Sequence, residues 1–396
     1  MTTVATENVS VTSHREGAGT RTDTALWILS AVLFASTSVV VGVIWDISWH
    51  RTIGRDTFFT PAHLAIYLGG TVAGLSCGWL VLRTTFSGTT DEKARGVRFW
   101  GFTGPLGAWI CIWGAIAMIT SGPFDDWWHN AYGLDVEILS PPHTVLALGI
   151  ITIQLGALMM ALARQNNAHE RHPVLKWMFV YGAGLVVLML AVMATDYIGF
   201  ANQTRNPSFY IASALLFPLF LVAVARASKL RWGATAAAAA YMGVTVLMIW
   251  ILQLFPAQPL LGPIYNPVER MVPPGFPLLL ISPALAIDLL ASRPSADTTR
   301  GRRWLTALAM GGAFLGVLLV VQWLFAEFLL SPYARNVLFG ADQWDYNARL
   351  GDWRYEYWGA AAAPMLGRGL AIALLISTLM ARLGLAWGHW LARVRR

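Results

Sequence analysis

Asp46, His50 and His63 fall within WDISWHRTIGRDTFFTPAH (45–63), and Asp125, His129 and His143 within DDWWHNAYGLDVEILSPPH (125–143). The two sets share a spacing, D-x3-H-x12-H in the first and D-x3-H-x13-H in the second. An aspartate and a histidine four residues apart on a helix lie on one face, so each pair offers a carboxylate and an imidazole side by side. The last histidine of each set follows a hydroxyl residue and proline, Thr60-Pro61 and Ser140-Pro141. That order marks a helix start and puts each of these histidines in the first turn of the next helix. A helical hairpin then brings one carboxylate and two imidazoles together, a donor set suited to iron, copper or zinc with coordination positions left open. The positive end of the second helix disfavours protonation of His63 and His143 and leaves them able to ligate. On this reading Asp46, His50 and His63 form a primary, catalytic metal site, and Asp125, His129 and His143 a second or structural one. The competing reading is that interfacial Asp and His side chains snorkel, cap helices or pair with Arg51 or Arg55. Repetition of the spacing favours ligation, because four of the chain's eight histidines lie in these frames.

The elements that must carry these residues are legible in the composition. With 56% hydrophobic and 12% charged residues in a chain of 396, this is no ordinary soluble domain, where about a quarter of residues are charged. Apolar runs of near-spanning length occur at Leu26–Trp45, Pro61–Leu82, Trp100–Ile119, His143–Leu162, Trp177–Thr195, Phe209–Ala225, Ala234–Leu254, Phe276–Ala291, Leu305–Phe325 and Leu366–Leu383. The expected fold class is therefore all-α: a polytopic integral membrane protein of about ten transmembrane helices. If the N-terminus is cytoplasmic, twenty of the 28 Lys and Arg residues fall on the inner side, which also places the C-terminus there. The net charge of +7 is thus an orientation signal, and nucleic acid is not an expected partner. Residues 1–25 read as a disordered cytoplasmic tail, 26–171 as a duplicated four-helix metal-binding half and 172–396 as a six-helix half. Cys77 and Cys111 fall within spans and suggest no disulfide.

DISWHRTIGRDTFFTPAHLAIYLGG (46–70) resembles the signature of the C subunit of the particulate methane and ammonia monooxygenases, the copper membrane monooxygenases. The Asp, Ser-Trp-His, Arg-Asp-Thr, Phe-Thr-Pro and His recur there in the same order and spacing. DDWWHNAYGLDVEILSPPHTVLALG (125–149) is similar to that family's second polar segment, with Asp125 standing where the family commonly has Asn. The resemblance covers about the first 170 residues. It implies copper at Asp46, His50 and His63 and at Asp125, His129 and His143, and a trimeric assembly of heteromers. It also implies a cupredoxin-bearing partner subunit, since this chain has no β-strand pattern of its own for such a domain.

The expected function is that of a copper-dependent membrane oxygenase, monooxygenase-like, acting with dioxygen on a small apolar substrate at the extracytoplasmic face of the plasma membrane. Arg55 and Asp56 would orient the ligands. The alternative is a non-catalytic membrane protein that binds copper or helps assemble another metalloenzyme; non-haem iron or zinc would suit the same donors. A transporter is disfavoured, because its polar residues would be strung through the spans rather than gathered at one end. Other polar residues at span ends, Asp196 with Tyr197, Glu327, and the group Tyr265, Asn266, Glu269 and Arg270, read first as interfacial caps and loop closures. Trp127 and Trp128 read first as aromatic belt.

Overall fold

The computed structural model describes residues 9–54, 59–133, 140–167, 173–292 and 299–395. It is all-α. The helices are α1 (Val9–Thr52), α2 (Pro61–Ser87), α3 (Thr90–Arg95), α4 (Leu106–Tyr132), α5 (Pro141–Asn167), α6 (Pro173–Met193), α7 (Thr195–Ile198), α8 (Pro207–Ala227), α9 (Gly233–Leu252), α10 (Ile281–Ala291), α11 (Arg300–Leu330) and α12 (Ala363–Leu391). Among the described residues nine helices are long and apolar enough to cross a membrane, the first of them over Leu26–Thr52. The chain is a multi-pass membrane protein.

Two expected spans differ in detail. Trp100 does not open the third one. It forms, with Gly101, the turn of a short hairpin between β1 (Val97–Phe99) and β2 (Phe102–Gly104). Both turn residues have positive φ, 48° and 84°, as a tight two-residue hairpin requires, and the helix begins only at Leu106. The run Phe276–Ala291 is helical only from Ile281, because Pro273, Pro274 and Pro277 hold the chain extended before it.

That extended stretch still completes a crossing. Val272 is hydrogen-bonded to Thr52 at the end of α1, the Leu278 amide donates to Tyr241 Oη inside α9 at 2.9 Å, and the Leu279 amide donates to Gln322 Oε1 on α11 at 3.1 Å. Near the end of α10, Asp288 then accepts the first amides of α9, from Ala234 and Thr235. The chain therefore runs the length of α9 and returns to the end where α9 starts, half as extended backbone and half as helix. Non-helical backbone is tolerated at such depth only where protein covers it, and Met271, Val272, Leu278 and Leu280 are all buried.

One hydrophobic core runs from α1 to α12. Within it the two N-terminal hairpins, α1 on α2 and α4 on α5, are built alike. A Cβ on Gly69 would lie 2.6 Å from the Ala35 carbonyl oxygen and 2.4 Å from a Val39 methyl; on Gly149 it would lie 2.9 Å from the Gly114 carbonyl oxygen and 2.8 Å from Met118 Cγ. These positions correspond: Ala35 and Val39 stand before Asp46 as Gly114 and Met118 stand before Asp125, and each glycine lies six residues after the last histidine. Contact between helix backbones in both hairpins thus fixes the distance across which the aspartate meets that histidine. Gly69→Ala has no room without parting α1 and α2. It should cost about 1–3 kcal/mol, seen as a lower unfolding midpoint in detergent, whereas Gly78→Ala, where a Cβ meets nothing within 4 Å, should leave the midpoint unchanged.

Candidate metal centre

The six expected ligands lie at one end of the bundle, in two groups of three. Thr60 Oγ1 accepts from the His63 amide at 3.1 Å and Ser140 Oγ from the His143 amide at 3.3 Å, so both hydroxyls cap their helices and each histidine occupies the first turn. In the first hairpin Asp46 Oδ2 is 3.8 Å from His50 Nε2, and Oδ1 is 3.1 Å from His63 Nε2. In the second, Asp125 Oδ2 is 3.5 Å from His129 Nε2 and Oδ1 is 3.5 Å from His143 Nε2. Each carboxylate stands between its two imidazoles, and in both groups all the nitrogens turned toward it are Nε2.

Two donors bound to one metal at about 2.0–2.2 Å stand roughly 3–4 Å apart, and all four separations fall in that range. Asp46 Oδ1 and Asp125 Oδ1 are both buried and accept no hydrogen bond, although an imidazole nitrogen lies close to each. The donor chemistry therefore fits a metal ion. As they stand, the side chains divide each carboxylate between two imidazoles, and among the described residues no three His, Cys, Asp or Glu side chains enclose a metal position. His50 is the most exposed of the six, at 48%.

The first group is held more firmly than the second. Ser48 Oγ donates to the Val272 carbonyl at 2.6 Å, and Thr52 Oγ1 accepts from the Val272 amide at 2.8 Å. Arg51 Nε donates to Asp345 at 2.6 Å, the Tyr346 amide to the Arg51 carbonyl, and the Leu260 amide to the Ile53 carbonyl. The extended segment and both long loops of the C-terminal half thus grip the last turns of α1, between and beyond Asp46 and His50. The end of α4 has no such clamp among the described residues. It carries instead an aromatic cluster of Phe124, Trp127, Trp128 and Tyr132.

Tyr67 is a site residue that the spacing did not single out. It lies one turn after His63, within electrostatic reach of both Asp46 and Asp125. An i, i+4 scan from His63 would have found it; the corresponding residue of the second hairpin is Ala147. Arg55 and Asp56 lie outside the described residues. Glu327 pairs with Arg205 at 2.7 Å, the Asn266 side chain donates to the Trp344 carbonyl, and Arg270 donates to the Gln253 carbonyl. These residues close loops. A cavity of about 50 Å³, room for a water or two, lies beyond Arg51 against Phe200, Asn202, Phe276 and Trp344, and none of the six ligand candidates lines it.

Comparison of the chain with models of known protein families, with characterised proteins and with solved structures finds no match.

Proposed function

We propose that this protein is a copper-dependent membrane monooxygenase, or a subunit of one, with Asp46, His50 and His63 holding the catalytic metal and Asp125, His129 and His143 holding a second. The observation that supports this is the convergence of one carboxylate on two imidazoles in two hairpins of the same build. Bound copper would supply the activation of dioxygen for attack on a small apolar molecule. The chain's own residues do the rest. Asp46 supplies the anionic donor and orients both rings. The clamp from Val272, Asp345 and Leu260 holds the last turns of α1 so that the ligands need little reorganisation. Lipid-facing apolar residues beside the first group, Phe59 and Leu64 among them, offer an approach for an apolar substrate from the bilayer. The distribution of basic residues supports a reading in which this end of the bundle faces out of the plasma membrane. A cupredoxin-bearing partner would deliver copper or electrons.

The test is metal content together with oxygen use. Purified in detergent, the chain should retain copper. With a reductant it should consume oxygen when offered a hydrocarbon or ammonia, and His63→Ala should abolish both. Copper retained without oxygen use would instead identify a binding or assembly protein. One observation favours that second reading: the cavity beside Arg51 lies away from the candidate ligands.

A further inference from the structure

At the opposite end of the bundle the C-termini of α5, α8 and α12 are tied together. Gln165 Nε2 donates to the Ala227 carbonyl at 2.9 Å, Asn166 Nδ2 to the carbonyls of Leu391 and Val394, and Asn167 Nδ2 to the Arg395 carbonyl. Around this knot stand Arg164, Lys176, Arg226, Lys229 and Arg395. Arg226 is pressed against α12, where its Cβ would meet a side chain at Gly388 within 2.8 Å. Among the described residues, Lys176 and Lys229 have only backbone carbonyls for partners, those of Lys229 and Gln165. The Nε atoms of Arg164 and Arg226 are buried and have no hydrogen-bond partner.

The charges do not balance. Three helix C-termini contribute together about −1.5 elementary charges against five full positive ones. None of the ion pairs to a carboxylate among the described residues involves these five cations. Asp288, near the end of α10, is taken up by the amides of α9. The crowding is felt at Lys229, whose ammonium is held below its ordinary range, first by loss of water and then by the like charges of Lys176 and Arg395. Lys229 also has φ +57°, a conformation that glycine or asparagine adopts at less cost.

We infer that this cluster binds the phosphate headgroup of an anionic phospholipid from the adjoining leaflet. Guanidinium forks and ammonium groups match phosphate oxygens, and a phosphate would balance the excess charge. A lipid rather than a free anion is indicated by what flanks the knot. Trp177 on α6 and Trp390 on α12 are exposed by more than half, and Val174 beside them is nearly so, as in an interfacial belt against which acyl chains lie. Basic pockets between helix ends bind such headgroups by this chemistry.

The experiment is the unfolding midpoint of the full chain in detergent, titrated with phosphatidylglycerol, phosphatidylcholine or inorganic phosphate. Phosphatidylglycerol should raise the midpoint progressively, less so in high salt, while the other two leave it unmoved. The triple variant Lys176→Gln, Lys229→Asn, Arg395→Gln should lose roughly half of that rise or more. Equal response to the two lipids, an undiminished response in the variant, or an equal rise with phosphate alone would each overturn the inference, the last by making this a free-anion site. Should the variant fail to fold, native mass spectrometry of the unmodified chain decides: phosphatidylglycerol must outlast phosphatidylcholine on the protein and be stripped by salt, and equal retention would overturn the inference.

Discussion

Asp46→Ala should strip the first metal position and leave the second loaded, and Asp125→Ala should do the reverse. The aspartate is the pivot of each group: at the first, both measured separations, 3.8 Å to His50 and 3.1 Å to His63, run through it. Its removal deletes the only anionic donor and the group that orients both rings. The loss in affinity should exceed the roughly 10–100-fold typical of losing an outer partner of a ligand. His63→Ala should be nearly as severe. His50→Ala should be milder, because His50 is half exposed and farther from the carboxylate. Metal per chain, measured after dialysis against a weak chelator, reads these differences. A purely structural role makes the opposite forecast, a lower unfolding midpoint with unchanged metal content, and that result in all three variants would remove the site. Asp125→Asn is a finer test, since it lowers the charge of the second group while keeping an oxygen donor.

The convergence of each aspartate with its two histidines was legible because its geometry is local. Four-residue spacing on a helix and a hydroxyl-proline cap determine where Asp46, His50 and His63 point once α1 and α2 form a hairpin, and the same holds for the second group. The clamp on α1 was not legible. It joins Ser48 and Thr52 to Val272, and Arg51 to Asp345, across more than two hundred residues, and no periodicity encodes such a pairing. The tenth crossing was half legible: the apolar run and its prolines are plain in the sequence, but the acceptors that make extended backbone tolerable there, Tyr241 and Gln322, belong to other helices. The same reason explains why the C-terminal half looked featureless. Its long loops carry none of the candidate donors; they hold the helix that carries Asp46 and His50.

Asp288→Ala should be among the most destabilising single changes in the chain. Asp288 is 1% exposed, and its carboxylate accepts from the Ala234 amide at 3.2 Å, the Thr235 amide at 2.8 Å and Thr235 Oγ1 at 2.7 Å. These are the orphan donors at the start of α9, capped here by a residue from another helix rather than from the preceding turn, where Trp232 supplies no side-chain cap. Hydrogen bonds to a charged group are worth about 1.5–3 kcal/mol each in net terms, and buried donors left without an acceptor cost about 1–3 kcal/mol more, so a loss of roughly 3 kcal/mol or more is expected. Asp288→Asn keeps one acceptor oxygen and should lose less than Asp288→Ala. The contact also fixes the end of the extended crossing, so its loss should free the backbone of residues 271–280 as well as the first turn of α9. Hydrogen exchange would show faster labelling at Leu278 and Leu279 in Asp288→Ala, with α1 and α2 unchanged. If only the first turn of α9 were affected, Asp288 would be a local cap and not the anchor of the crossing.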